Sequence, residues 1–137
     1  MPSSKPSSDT KRRSPTPKNY ERVNLATSDL PGADLPKANL RHATLKETNL
    51  AEANLAGADL TSANLGAADL HDATLADATL EHADLRDADL TGVDMRGARL
   101  TDAKLTGAKL AGANLQDAQG VPPNLPPPPA SDESAAG

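Results

Sequence analysis

Leucine recurs at every fifth position through the central part of the chain. Between Val23 and Asp117 the sequence divides into nineteen consecutive pentapeptides without an insertion, and the third residue of each is Leu, except for Met95. The first residue is Ala in fifteen of these repeats, and the second is Asn or Asp in thirteen. Internal repetition with a period of five is therefore the first property that a fold must explain.

A period of five fits neither of the regular secondary structure elements. At about 100° per residue, an α-helix would advance by about 140° between successive Leu residues and scatter them over all its faces. In a straight strand, an odd period would send successive Leu side chains to opposite sides of the sheet. Every Leu points inward only if the chain turns a corner within each pentapeptide. The pattern therefore predicts an all-β solenoid of short sides, with coils that stack through backbone hydrogen bonds.

The other repeat positions have distinct predicted roles. Ala is small enough to fit inside beside Leu, and the frequent Gly in the last position suits a turn that requires positive φ. Asn and Asp in the second position are expected to bond nearby backbone groups at a corner. Three outward positions thus surround a core built mainly from Leu and Ala.

The tandem order of Ala, Asn or Asp, Leu and two variable residues resembles the pentapeptide-repeat proteins, and it extends over residues 23–117. The resemblance implies a right-handed quadrilateral parallel β-helix with four repeats in each coil. It also implies that the Ala and Leu positions lie inside and the other three positions outside. At four repeats per coil, nineteen repeats would form about five coils.

The ends of the repeat pattern predict four segments. They are a disordered basic Ser/Pro-rich leader (1–22), the β-helix (23–117), a C-terminal capping segment (118–125) and a disordered Pro-rich tail (126–137). The pattern fails at Gly120, where Leu is due, and the prolines that follow cannot donate to a ladder. We expect Val121 and Leu125 to fold over the last coil.

Charge is unevenly distributed along the chain. The overall net charge is −5, but the leader carries +4 and residues 23–117 carry −7. An acidic body argues against direct nucleic-acid binding, which favours a basic stripe on a folded surface. No stretch has the length of a membrane span or the pattern of a signal peptide, and we therefore expect a cytoplasmic protein without membrane contact. The absence of Cys excludes disulfides and thiolate metal sites.

One predicted face is more acidic than the others. If four repeats make a coil, residues twenty apart stack on one face, and one of the four faces has a net charge of −4. Its acidic side chains, the candidate partner-binding residues, are Asp29, Glu52, Asp69, Asp72 and Asp89. The C-terminal part is basic by contrast, because residues 95–110 hold four basic side chains against Asp102.

Neither catalysis nor metal binding is expected. Ser62, His82 and Asp102 fall in one outward column and look like a triad, but a flat wall supplies no oxyanion hole and does not exclude water. His42 and His82 would lie about 10 Å apart and His71 on another face, so that one metal ion could not reach two of them. Stacked carboxylates such as Asp69 over Asp89 could hold a hard cation, although backbone bonding is the preferred interpretation. No cofactor is expected.

The leading functional hypothesis is a non-catalytic scaffold that mediates protein–protein interaction. The alternative, implied by the resemblance, is a DNA-mimic protein that binds bacterial DNA gyrase and modulates or protects it. This chain lacks the loops, the Phe-rich interior and the C-terminal dimerisation helix found among gyrase-binding members. We also expect a weak homodimer through the N-terminal coil, because Tyr20 and Val23 cover only part of its apolar layer.

Overall fold

A computed structural model of the protein describes residues 17–123. Within this range there is no helix and no strand longer than one residue, and parallel bridges recur at the second position of each repeat. The first bridge joins Asn19 to Asn39 and the last joins Arg99 to Gln119. All bridges between described residues join partners twenty apart, so four pentapeptides make one coil. The predicted β-solenoid with four repeats per coil is confirmed.

Each corner is a tight turn of the same kind. The N–H of the first residue of a repeat donates to the carbonyl of the preceding Leu, as from Ala58 to Leu55 at 3.0 Å. The residue before that N–H has positive φ, which is characteristic of the third residue of a type II turn. The Gly residues predicted for this place adopt it, for example Gly97 at 72°. Within residues 17–123, fourteen residues other than Gly adopt it as well, so the corner does not depend on Gly.

Backbone hydrogen bonds, most of them between coils, provide acceptors for most of the N–H groups of each repeat. In repeat 68–72, Asp69 N donates to the preceding coil at 3.0 Å, and Leu70 N and Asp72 N donate to the following coil at 2.8 Å each. Ala68 N is used in the turn. Only the N–H of the fourth residue is left without a backbone acceptor.

The second residue supplies the missing acceptor through its side chain. Asn64 Oδ1 accepts the N–H of Gly66 at 2.9 Å, and Asp69 Oδ1 accepts the N–H of His71 at 3.1 Å. The predicted backbone bonding of Asn and Asp is therefore confirmed. It gives the preference for these residues a physical cause, because an unpaired backbone N–H weakens a fold.

The Leu and Ala positions form the core, as predicted. The inward residues from Leu40 to Leu100 are at most 1% exposed. Thr48 takes one Ala position and is also fully buried. Its hydroxyl donates to the carbonyl of Leu25 at 2.7 Å, so the polar group is satisfied inside the apolar interior.

The β-helix begins earlier than the sequence analysis predicted. Tyr20 N donates to Asn39 O at 2.7 Å, and Arg22 has the positive φ of a corner. Residues 18–22 therefore form a further repeat with Tyr20 in the Leu position, and the boundary predicted after residue 22 is wrong. At the end of the rod the inward position has fewer neighbours, so an aromatic ring fits where a central coil accommodates Leu. Residues 1–16 of the predicted leader lie outside the described residues.

The C-terminal end also differs from the prediction. Gln119 still belongs to the ladder, since its N–H donates to Ala98 O at 2.8 Å. Gly120 packs against Thr101 so closely that a Cβ would lie 2.6 Å from Thr101 N, and Val121 is 36% exposed. Val121 thus does not provide the cover that was predicted. Leu125 and the predicted tail, 126–137, lie outside the described residues. No helix in the described part of the chain could cross a membrane.

Candidate functional site

The five acidic residues selected from the sequence lie on one wall of the rod. Bridges stack Asp29 on Asn49, Asn49 on Asp69, and Asp69 on Asp89, which places the second repeat positions in one column. Glu52 and Asp72 occupy corner positions of the same wall. We call the set of Asp29, Glu52, Asp69, Asp72 and Asp89 the acidic wall.

Three carboxylates of the acidic wall already have hydrogen-bond donors. They are Asp29 with Asn49 Nδ2 at 2.9 Å, Asp69 with His71 N at 3.1 Å, and Asp89 with Thr91 N at 3.0 Å. The side-chain hydrogen bond to Thr91 lowers the pKa of Asp89. Part of the acceptor capacity of these three carboxylates is therefore used inside the protein.

Glu52 and Asp72 are the more available carboxylates of the acidic wall. Both side chains are exposed, and neither makes a side-chain hydrogen bond within residues 17–123. Both stand at corners, with φ of 60° and 59°, and the Asp72 carboxylate lies beside Gly92 of the following coil. An external partner would meet these two residues first.

His71 lies within the acidic wall, and the sequence analysis missed this. Its Nδ1 is 2.8 Å from Asp69 Oδ1. The hydrogen bond and the charge of Asp69 raise the pKa of His71, and the charges of Asp72 and Asp89 add to the effect. The sequence analysis compared His71 only with other histidines. The available signal was the spacing of two residues from Asp69, which puts both side chains on the outside of one repeat.

Two groups of side chains on this wall could hold a cation. Glu52, His71 and Asp72 form one group, and Asp69, His71 and Asp89 form the other. In each group the potential ligand atoms lie within 4.8 Å of one another. An imidazole with two carboxylates suits zinc. The sequence analysis considered pairs of histidines and stacked aspartates, and it did not consider one His between carboxylates.

The suspected triad does not form a catalytic arrangement. His82 Nε2 lies 3.6 Å from Asp102 Oδ2, and the two side chains are 60% and 64% exposed. Ser62 makes no hydrogen bond to His82 in the described part of the chain. The geometry lacks the contact that activates a serine nucleophile and the exclusion of water that protects its products.

Each of the other three walls contains at least one salt bridge between Arg and a carboxylate. Arg86 pairs with Asp84 at 2.7 Å on one wall, and Arg96 pairs with Asp94 at 2.8 Å on another. The Arg86 hydrogen bond lowers the pKa of Asp84. On the remaining wall Arg41 pairs with Asp59 at 3.3 Å. Among residues 17–123 the acidic wall has no such pair with Arg or Lys.

Comparison with known proteins identifies the repeat. A family model described as pentapeptide repeats matches the chain in eight copies, over residues 21–55, 38–75, 53–92, 68–107 and 98–119. A search of curated proteins found no match.

Solved structures of similar architecture come from several sources. The pentapeptide repeat protein Rfr23 from the cyanobacterium Cyanothece 51142 is 30% identical, with 70% of this chain and 82% of that chain covered and a TM-score of 0.63. A pentapeptide repeat protein from the thylakoid lumen of Arabidopsis thaliana is 24% identical, with 85% and 75% covered and a TM-score of 0.70. QnrB1, a plasmid-mediated fluoroquinolone resistance protein, is 21% identical, with 74% and 63% covered. Its TM-score of 0.49 is too low to carry an argument about this chain.

Proposed function

Because this chain belongs to the pentapeptide-repeat family, we propose that it is a non-catalytic scaffold that binds another protein through the acidic wall. One observation carries the proposal: within residues 17–123, the acidic wall is the wall on which no carboxylate forms a salt bridge with Arg or Lys. We also infer that the coils wind in the right-handed sense implied by the family resemblance.

Electrostatics and shape define the partner. Carboxylates repeated on coils about 4.8 Å apart repel one another, and a basic surface relieves this repulsion. The wall is flat, whereas small-molecule sites are concave and mostly apolar. The favoured partner is therefore a protein with a basic, flat patch.

Paired variants at corner residues test this function. Glu52→Gln with Asp72→Asn removes the two available carboxylates of the acidic wall. Asp77→Asn with Asp87→Asn is the matched control, because these exposed corner residues have φ of 60° and 62° on other walls. We expect a basic partner protein that the wild type captures to bind the control variant but not the first variant. Equal capture by the wild type and both variants would refute the role of the acidic wall.

The second candidate function is DNA mimicry directed at bacterial gyrase. The specific observation in its favour is the stacking of Asp69 on Asp89 with Asp72 beside them. Against it, the acidic charge is much sparser than the phosphates of a duplex. If this function is correct, the wild-type protein inhibits supercoiling by purified gyrase. A variant in which Asp69, Asp72 and Asp89 are neutralised should no longer inhibit it. Wild-type protein without any effect on supercoiling at micromolar concentration would exclude this function.

We further propose a weak homodimer through the N-terminal coil. Tyr20, Val23, Leu25 and Leu30 pack against the core but are only partly buried, so the end of the rod retains accessible apolar surface. Sedimentation of the wild type and Tyr20→Asp at high concentration tests the contact, and equal dimerisation of both would exclude it. The cytoplasmic location and the lack of direct nucleic-acid binding stay predictions.

A further inference from the structure

The fifth coil departs from the rule that governs the second repeat position. Here Arg99, Lys104 and Lys109 replace the usual Asn or Asp, and all three side chains are exposed. Lys and Arg side chains donate hydrogen bonds and cannot accept them. The N–H groups of Thr106 and Ala111 consequently have no acceptor among residues 17–123.

The preceding coil shows where an acceptor oxygen belongs. On the wall of Lys104, Asp84 Oδ1 lies 3.1 Å from the N–H nitrogen of Arg86. On the acidic wall, above Lys109, Asp89 Oδ1 lies 3.0 Å from the N–H nitrogen of Thr91. In the fifth coil the same backbone position offers an N–H two residues after an exposed Lys instead of after a carboxylate. A carboxylate from outside would place one oxygen on the N–H and the other near the ammonium.

Within residues 17–123, the ammonium groups of both positions form no salt bridge, although carboxylates of the preceding coil lie nearby. Asp84 is bonded to Arg86, and neither Lys104 nor Lys109 forms a salt bridge within the described residues. Of the adjoining corners, Gly112 has no side chain to obstruct an approaching ligand, whereas the Asp87 carboxylate lies beside Gly107.

Arg99 does not form a third equivalent position. Its guanidinium Nε lies 3.3 Å from Glu81 Oε2. Gly120 covers the fourth residue of that repeat, because a Cβ on Gly120 would lie 2.6 Å from Thr101 N. The available positions are therefore the two neighbouring repeats 103–107 and 108–112.

We propose that Lys104 and Lys109, together with the N–H groups of Thr106 and Ala111, bind two carboxylates of an acidic peptide segment in a partner protein. Lys109 stands in the same column as Asp89 of the acidic wall and Lys104 stands on the neighbouring wall. The proposal does not depend on partner binding by the acidic carboxylates. The carboxylate is favoured over phosphate because Asp supplies the oxygen at the corresponding position of the coil before. A duplex would also meet the acidic coils, since residues 47–94 hold eleven acidic side chains against Arg86.

Fluorescence anisotropy with a labelled peptide tests the proposal on the full chain. The probe is a Gly/Ser peptide with a central run of Asp and Glu. Lys104→Asn with Lys109→Asn removes both ammonium groups and restores the usual acceptor. Lys37→Asn with Lys46→Asn removes the same charge from exposed positions in earlier coils. We expect the first variant to weaken binding by about tenfold or more, as for loss of charged hydrogen bonds, and the control to change it less than about twofold.

Stability separates lost binding from lost folding. Asn at positions 104 and 109 should accept the N–H of the fourth residue, so the thermal midpoint of that variant should equal or exceed that of the wild type. If it falls, Lys104→Met with Lys109→Met removes the charge at similar side-chain length and must show the same loss of binding. The proposal is overturned by a wild type that does not bind the peptide, by equal losses in the control, or by tighter binding of a DNA duplex of equal charge.

Discussion

Truncation of a central Leu measures how much the inward register contributes to stability. Leu70 is 0% exposed, and its neighbours above and below, Leu50 and Leu90, are at most 1% exposed. Leu70→Ala removes three carbon atoms, which at about 0.8 kcal/mol per buried methylene gives a transfer loss of about 2.4 kcal/mol. The cavity that remains in a close-packed interior increases the expected loss to about 3–5 kcal/mol.

Urea unfolding followed by circular dichroism provides the measurement. With the slope of about 1–3 kcal/mol per M that is typical of small proteins in urea, this loss lowers the unfolding midpoint by roughly 1–5 M. Leu30→Ala is the matched control, because Leu30 has the same repeat position on the same wall but is only partly buried in the first coil. Its free-energy loss should be less than half as large. A loss below about 1 kcal/mol for Leu70→Ala, or equal losses for the two variants, would refute the inward register.

Three other outcomes follow from the same geometry. Asn64→Ala removes the acceptor of the Gly66 N–H and should lower the free energy of unfolding by about 0.5–1.5 kcal/mol in urea, whereas Asn64→Asp keeps the acceptor and should lower it less. The pKa of His71 is raised in the folded state by Asp69, so its stabilisation is complete below the unfolded pKa of 6.5 and is lost as the pH rises through the folded pKa. The thermal midpoint should therefore fall between about pH 6 and 8, and fall less in His71→Asn; identical pH profiles would contradict this. The far-ultraviolet circular dichroism spectrum should be β-like, and a strong helical signal would contradict the fold.

The fold was predictable because the same five-residue pattern occurs in every repeat. The Leu period requires one corner in each pentapeptide, and the structure has a turn between the Leu of each repeat and the first residue of the next. The start of the β-helix was not predictable by the same criterion, since Tyr20 occupies a Leu position and Asn19 alone continues the pattern. The wide use of positive φ by residues other than Gly was also unexpected. Ladder bonds on both sides of each corner fix the backbone there more strongly than the local preference of a single residue does.

For the candidate site, only the wall and column of each residue were predictable from the sequence. Stacking every twentieth residue placed Asp29, Asp69 and Asp89 in one column, because this depends only on the number of residues in a coil. Which carboxylates stay available depends on side-chain conformations, and the column residues bond to backbone or neighbouring side chains instead. The pairing of His71 with Asp69 belongs to this second kind of information.

The uniform corner links the position of each surface residue in the sequence to one of the four walls. The wall on which a residue lies depends only on how many pentapeptides precede it, because each corner turns the chain in the same way. Deletion of one pentapeptide within residues 53–67 would leave every later Leu inside while moving all later side chains onto a neighbouring wall. His71 and Asp69 would travel together, but Glu52 would no longer stand beside them. Gain or loss of five residues therefore reshuffles entire charge columns without altering the core, which no single substitution achieves.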